Sequence, residues 1–294
     1  MEIKKLLFVT KFEELTFDAV RSLLALRDAA LDHVIFLNVI ERERVAMRRG
    51  SGYMKDEEIR LRERANIRFI DWAENLFVEG MEVGVYIAVG SLVSKVIDAA
   101  ENEDADLIVI GRPHKGVLES FYSGSDVTEL LRRAAIPVLV YKHMTEGTLV
   151  PEKPFERVVL AADWSPASLR AVELLKPLKN VIQEIHVVHV VGDDELNGTN
   201  AMDIQKTRKD RRQKLDKICE IFETEGITAE PHVYIGDTEE EIEKAAKEHQ
   251  ASMIVMGSSG KPSFAERWLG STPQRIAEKS IYPTLLVPPE KKQP

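Results

Sequence analysis

The chain has 294 residues, of which 44% are hydrophobic and 30% charged, and a formal net charge of −9. This composition is typical of a globular protein with two domains of ordinary size, and the acidic balance argues against nucleic-acid binding, which needs a basic surface. No stretch reaches the roughly 18 apolar residues of a membrane span, and no signal peptide precedes the first apolar run. The single cysteine, Cys219, excludes an intrachain disulfide framework, so we expect a cytoplasmic protein.

Short apolar runs alternate with amphipathic patterns through both halves of the chain. The predicted strands of the first half are 3–10, 33–40, 81–88, 106–110 and 138–141, and its predicted helices are 17–30, 56–78, 92–103 and 126–134. The second half has predicted strands at 157–162, 184–191, 228–235, 252–256 and 284–287, and predicted helices at 167–175, 202–225, 239–248 and 273–279. Uniformly apolar strands that alternate with helices indicate parallel sheets covered on both faces.

The second half repeats the first at a constant offset of 146 residues. Gly111 and Gly124-Ser125 correspond to Gly257 and Gly270-Ser271, Gly90 matches Gly236, and Pro137 matches Pro283. So long a period indicates a duplicated domain rather than a solenoid repeat. We therefore predict an α/β protein of two tandem doubly wound domains, each a five-stranded parallel sheet with helices on both faces. The predicted boundaries are 1–144 for the first domain, 145–154 for a linker rich in glycine and proline, and 155–294 for the second domain.

A glycine cluster follows the fourth predicted strand of the second half. Gly257 and Gly260 come directly after the apolar run 253–256, and Gly270-Ser271 opens the next helical pattern. Glycines at a strand end let the backbone approach a ligand, and a helix N-terminus favours anions. This pattern predicts a phosphate-binding loop.

Asp163 follows the first predicted strand of the same half. If the first and fourth strands are neighbours, its carboxylate lies beside the glycine loop and can accept hydrogen bonds from ribose hydroxyls. A helix N-cap is the alternative role, but Ser165, followed by Pro166, suits that position better.

With the Asp at the end of the first strand, the Gly-x-x-Gly, nine residues, Gly-Ser arrangement resembles the universal stress protein family, and the resemblance covers both halves. It implies an adenine nucleotide alpha hydrolase-like fold that binds ATP or another adenine nucleotide, such as AMP, with Mg²⁺ accompanying ATP. By this resemblance Asp163 binds the ribose. The resemblance also implies that Ala161, Val190 and Met256 line the adenine pocket. It implies that the phosphates are surrounded by Gly257, Gly260, Gly270, Ser271 and Thr272.

Two departures from the family pattern bear on this site. Pro273 stands where the family often has a Ser or Thr. Because proline cannot donate a hydrogen bond, we expect the affinity for a triphosphate to be lower. In the first half Lys11 stands where the second has Asp163, and His114 where it has Gly260. We therefore expect the first site to be degenerate. A basic anion pocket built from Lys11, Arg112, His114 and Lys115 is the alternative.

No catalytic or metal-binding constellation is recognised. His186 and His189 are three residues apart on a predicted strand, so they face opposite sides of the sheet and cannot share a metal ion. The leading hypothesis is a nucleotide-binding regulatory protein of the stress response. A slow ATPase or nucleotide hydrolase, and a structural interaction module with two decayed sites, remain as alternatives. The resemblance further implies that the last strands, 138–141 and 284–287, pair the two halves as an intrachain pseudo-dimer. Homodimerisation and the identity of a protein partner are left open.

Overall fold

The computed structural model describes residues 2–12, 15–45, 53–112, 124–142, 153–196, 198, 200–259 and 269–290. The chain divides into two compact units, Ile3–His143 and Met144–Pro294, the latter grouped with Met1–Glu2. Of the predicted linker, only residues 153 and 154 lie within the described part of the chain.

The described part of the first domain alternates strands and helices as the apolar pattern predicts. Its elements in chain order are β1 (Lys5–Val9), α1 (Phe17–Leu23), a 3₁₀-helix (Leu24–Ala29), β2 (His33–Ile40), α2 (Arg42–Val45), α3 (Lys55–Val78), β3 (Glu82–Val89), α4 (Leu92–Asn102), β4 (Leu107–Arg112), α5 (Gly124–Arg133) and β5 (Val138–Lys142). The strands are all parallel in the order β3-β2-β1-β4-β5.

The second domain repeats this arrangement within its described residues. Its elements are β6 (Arg157–Ala161), α6 (Pro166–Leu175), a 3₁₀-helix (Lys176–Leu178), β7 (Glu184–Val191), α7 (Asp193–Leu196), α8 (Ala201–Thr224), β8 (Thr228–Ile235), α9 (Thr238–Glu248), β9 (Met253–Gly257), α10 (Ser271–Lys279) and β10 (Thr284–Val287). The parallel order is β10-β9-β6-β7-β8. The prediction of two tandem α/β domains with five parallel strands each is confirmed.

The strand order reverses between the first and fourth strands of each domain. In the second domain β6 lies between β7 and β9, and the chain leaves β6 and β9 toward opposite sides of the sheet. A doubly wound sheet opens a crevice at this switch point, outside the carboxyl ends of its strands. The fold therefore places the residues that follow β6 and β9 side by side.

Gly90 and Gly236 directly follow the third strand of each domain and have a backbone conformation that suits glycine. Their φ angles are +157° and +139°, a region that residues with a Cβ rarely adopt. In both domains a helix, α4 or α9, begins two residues later. The duplicated glycine therefore marks a turn that both halves use.

Ser165 is the N-cap of α6, as the sequence predicts, and its hydroxyl oxygen accepts a hydrogen bond from the Ser168 N–H at 3.2 Å. We expect Ser165→Ala to lower the free energy of unfolding by about 1 kcal/mol, because a helix N–H loses its partner. The matched control is Ser91→Ala, at the N-cap of α4, where the hydroxyl makes no cap hydrogen bond. It should change the stability by less than about 0.5 kcal/mol. Urea unfolding measures both, and equal losses would contradict the capping role.

Candidate functional site

The predicted site residues at the carboxyl ends of β6, β7 and β9 lie along one edge of the second sheet. Ala161, the last residue of β6, pairs with Met256 of β9 on one side and with Val188 of β7 on the other. Val190 lies two residues further along β7, and Gly257 ends β9. The structure thus gathers residues that are up to 96 positions apart in sequence at the switch point.

Asp163 is exposed just beyond the end of β6. One carboxylate oxygen, Oδ1, accepts a hydrogen bond from the Ser165 N–H at 3.0 Å, and the Asp163 N–H donates to Ser168 Oγ at 3.3 Å. These bonds hold the carboxylate at the strand end, while its second oxygen is not used by this turn. Asp163 therefore supports the start of α6 and still presents an acceptor to the crevice.

The predicted adenine pocket has an apolar wall that is only partly covered. Ala161 and Val190 are half-buried, and Met256, which pairs with Ala161, is buried. Small aliphatic surfaces at a strand edge suit the flat face of a purine ring, since binding pockets are mostly apolar with a few polar groups.

An aromatic and cationic stack that sequence reasoning missed lies beside β7, on the other face of the sheet from Val190. The Trp164 ring packs on the His189 ring with centroids 4.3 Å apart, and Arg211 and Lys214 of α8 lie 5.5 Å and 5.1 Å from the indole centroid. The His189 Nδ1 lies 2.7 Å from the Ala162 carbonyl oxygen, which makes it the donor, and burial lowers the pKa of this imidazole. The basic residues of α8 gave no local signal, because only the fold brings that helix to Trp164.

The predicted phosphate side is formed by the start of α10. Gly270 is its N-cap, and the Gly270 N–H donates to the Ser258 carbonyl at 2.9 Å, which brings the two ends of the glycine-bounded segment together. Ser271 and Thr272 occupy the first turn, whose N–H groups have no acceptor within a helix. Gly260 lies outside the described residues.

Gly257 has a packing role that the sequence did not indicate. A Cβ at this position would lie 2.7 Å from the Ser168 backbone nitrogen and 2.9 Å from the Ala167 Cβ. The end of β9 therefore touches the first turn of α6, and this contact requires glycine before any ligand is considered.

The corresponding edge of the first domain is filled by its own side chains. The registers of β1 with β2 and of β6 with β7 place Lys11 where Asp163 stands, and Phe12 and Trp164 share a positive φ, +73° and +59°. Lys11 is only 6% exposed, and its Nζ lies 2.6 Å from a carboxylate oxygen of Glu41.

The apolar residues around Lys11 are also covered. Val9, Val39 and Ile110, the counterparts of Ala161, Val190 and Met256, are buried. His114 and Lys115 lie outside the described residues, as does the side chain of Arg112. The proposed basic pocket therefore has its described lysine paired with Glu41, and the degeneracy of the first site stays a prediction that this packing favours.

The model of the universal stress protein family matches twice, at residues 2–142 and 154–288. The chain belongs to the universal stress protein family. Both matches lie within the two domains described above, so the chain is a tandem member.

Individual universal stress proteins are similar to parts of this chain. Universal stress protein MJ0577 of Methanocaldococcus jannaschii is 23% identical over 153 residues, which cover 45% of this chain and 94% of that protein. A universal stress protein of Mycolicibacterium smegmatis is 26% identical over 222 residues, covering 71% of this chain and 70% of its own. The crystal structure of a universal stress protein from Archaeoglobus fulgidus has a TM-score of 0.74 at 23% identity and covers 99% of this chain and 100% of its own, which supports the same fold.

Within the described residues, no helix is both long enough and apolar enough to cross a membrane.

Proposed function

We propose that the second domain binds an adenine nucleotide, ATP or AMP, and that this binding serves a regulatory role in the stress response rather than turnover. The observation that carries the proposal is the meeting of Asp163, Ala161, Met256 and the α10 N-terminus at one switch point. An acceptor for ribose, an apolar wall for a purine and a helix N-terminus for phosphate are the three elements that such a ligand needs.

The chemistry of the phosphate side limits which nucleotide is held tightly. Ser271 and Thr272 supply hydroxyl groups and first-turn amides, whereas Pro273 supplies no N–H. The Asp163 carboxylate and these hydroxyls are oxygen donors, the ligand type that Mg²⁺ prefers, so a Mg²⁺–triphosphate fits the donor set. We expect ATP to gain little affinity over AMP, because proline removes one amide donor from the helix start.

The second domain is the proposed binder because the described residues at the equivalent edge of the first domain are buried or paired. Lys11 is paired with Glu41 there, and the three apolar counterparts are buried. One nucleotide per chain is therefore expected. The proposal also includes a cytoplasmic location and a protein partner for the regulatory role.

Calorimetric titration of the full chain with AMP, and with ATP and Mg²⁺, tests the proposal. Asp163→Ala should weaken binding about tenfold to a hundredfold, since a hydrogen bond to a charged group is lost. The control is Asp18→Ala, which removes an equal charge from a side chain that is 73% exposed on α1 of the first domain. It should leave the affinity within about twofold.

The remaining outcomes separate the alternatives. Two nucleotides per chain, or full affinity in Asp163→Ala, would contradict the assigned site. No binding at all would favour the structural interaction module. A rate of phosphate release that is lower in Ser271→Ala than in the unaltered protein would favour the nucleotide hydrolase.

A further inference from the structure

Three histidines of the second domain come together away from the switch point. His186 lies on β7, His232 on β8, and His249 directly follows α9. One ring nitrogen from each lies within 4.8 Å of the others. His186 and Val190 are on the same strand, about 13 Å apart at the rise of a β-strand, so this cluster is separate from the nucleotide crevice.

The register of β7 and β8 explains why two of these side chains meet. His186 pairs with Glu230, and His232 lies two residues further along β8, so all three side chains point to the same face of the sheet. The C-terminus of α9 delivers His249 to that face, where its ring stacks on His186 with centroids 4.0 Å apart. His189 lies on the other face, against Trp164.

The distances suit a tetrahedral metal ion. His186 Nδ1 and His232 Nε2 are 3.2 Å apart. Two nitrogen ligands of Zn²⁺ at a tetrahedral site are separated by about 3.3 Å. Glu230 Oε2 lies 3.7 Å from the same His232 nitrogen and 4.0 Å from the same His186 nitrogen. A carboxylate oxygen thus faces the point between the two imidazoles, as a fourth ligand would.

Neighbouring groups set the tautomers of the His186 and His249 rings. Glu184 Oε1 lies 3.6 Å from His186 Nε2, so a proton on that nitrogen leaves the lone pair on Nδ1. Tyr234 OH lies 2.7 Å from a Glu248 oxygen, which can only accept, and 3.2 Å from His249 Nε2. The hydroxyl therefore accepts from Nε2–H, and the lone pair of His249 is on Nδ1.

The cluster is also open to solvent. The side chains of His232 and Glu230 are 23% and 62% exposed, so an ion can reach the site.

We propose that His186, His232 and His249, with Glu230 as a fourth ligand, form a site for one zinc-class divalent transition metal ion in the second domain. Closing the site requires the three nitrogens, which lie within 4.8 Å of one another, to approach to about 3.3 Å, a shift of at most about 1.5 Å for any pair. The first domain has Ile35, Tyr86 and Glu103 at the positions of the three histidines, by the same registers and the same helix end. Tyr86 OH donates to the Glu103 carboxylate there, and the chain is expected to hold one metal ion rather than two.

The experiment uses the full chain stripped with a chelator and titrated with Co²⁺ and Zn²⁺. We expect the visible absorption of tetrahedral Co²⁺ to rise to an end point at one equivalent and to disappear on adding Zn²⁺. Absence of this signal in the unaltered protein would overturn the proposal without any variant. In that case the three histidines would form a metal-free cluster, held together by the His186–His232 hydrogen bond and by ring stacking.

Variants then assign the ligands by competition with a chromophoric chelator. His232→Gln and His249→Gln should each lower Zn²⁺ affinity at least about a hundredfold, and Tyr234→Phe about tenfold, since outer partners tune metal affinity less than ligands do. His33→Gln removes a histidine from β2 of the first domain and should leave affinity unchanged. Equal loss in His33→Gln, or full affinity in His232→Gln, would overturn the assignment. Asp163→Ala should retain Zn²⁺ binding, so this result is independent of the nucleotide proposal.

Discussion

Gly257→Ala is expected to lower the free energy of unfolding by about 3 kcal/mol, at the upper end of the range for overpacking in a core. The new Cβ would lie 2.7 Å from the Ser168 nitrogen and 3.0 Å from the Ala167 carbonyl carbon. Both atoms belong to the backbone of α6, so no side-chain rotation can relieve the contact. The strand is equally constrained, because β9 is hydrogen-bonded between β6 and β10.

Urea unfolding measures this loss, with Gly192→Ala as the matched control. Gly192 has no atom within 4 Å of an added Cβ, and the substitution should change stability by less than about 0.5 kcal/mol. If Gly257 were glycine only to admit a ligand, Gly257→Ala would reduce nucleotide affinity and leave the unfolding curve unchanged. That outcome would contradict the packing role.

Phe36→Ala is expected to lower the free energy of unfolding by about 3–5 kcal/mol, the usual loss for a buried aromatic side chain. Phe36 is fully buried on β2, stacked on Phe69 of α3 at 5.3 Å and edge-on to Phe8 and Trp72 at 6.0 Å and 5.4 Å. Its removal opens a cavity between β1, β2 and α3, the three elements that carry these rings. The same aromatic cluster extends to Phe12, directly after the lysine that occupies the first switch point.

The control for Phe36→Ala is Phe77→Ala, the same substitution at a side chain that is 59% exposed near the end of α3. Urea unfolding followed by tryptophan fluorescence and by amide hydrogen exchange in β1 and β2 measures both variants. A loss below about 1 kcal/mol for Phe36→Ala, or one equal to that of Phe77→Ala, would show that the cluster does not hold the first domain together.

The elements themselves could be predicted well because most of the strands are buried on both faces, the partly exposed ones being the edge strands β3 and β8. The predicted strands 33–40, 184–191, 228–235 and 284–287 have the bounds that the structure shows for β2, β7, β8 and β10. Continuous apolar runs have clear ends where polar residues begin. The short helices α2 and α7 and the second 3₁₀-helix were not predicted, since a single turn has no periodicity to detect. The first 3₁₀-helix, Leu24–Ala29, lies within the predicted helix 17–30.

The candidate site could be predicted in part. Asp163, Ala161 and the α10 N-terminus follow from the rule that ligands bind at the switch point, once the first and fourth strands are neighbours. The packing role of Gly257 could not be predicted, because the approach of α6 is a three-dimensional contact. The same holds for the Trp164 stack with α8. The three-histidine cluster could not be predicted either. Spacing along one strand compares His186 only with His189, whereas His232 and His249 are 46 and 63 residues away from His186.

The sequence by itself determined the duplication, the alternation of strands and helices, the family and the asymmetry between Lys11 and Asp163. Each of these can be recognised from the local sequence pattern or from a comparison of one half of the chain with the other. Only the tertiary structure decided that Lys11 is paired with Glu41, that Gly257 touches α6 and that three histidines share one face of a sheet. These facts depend on strand register and helix packing, which bring together atoms that no spacing along the chain relates.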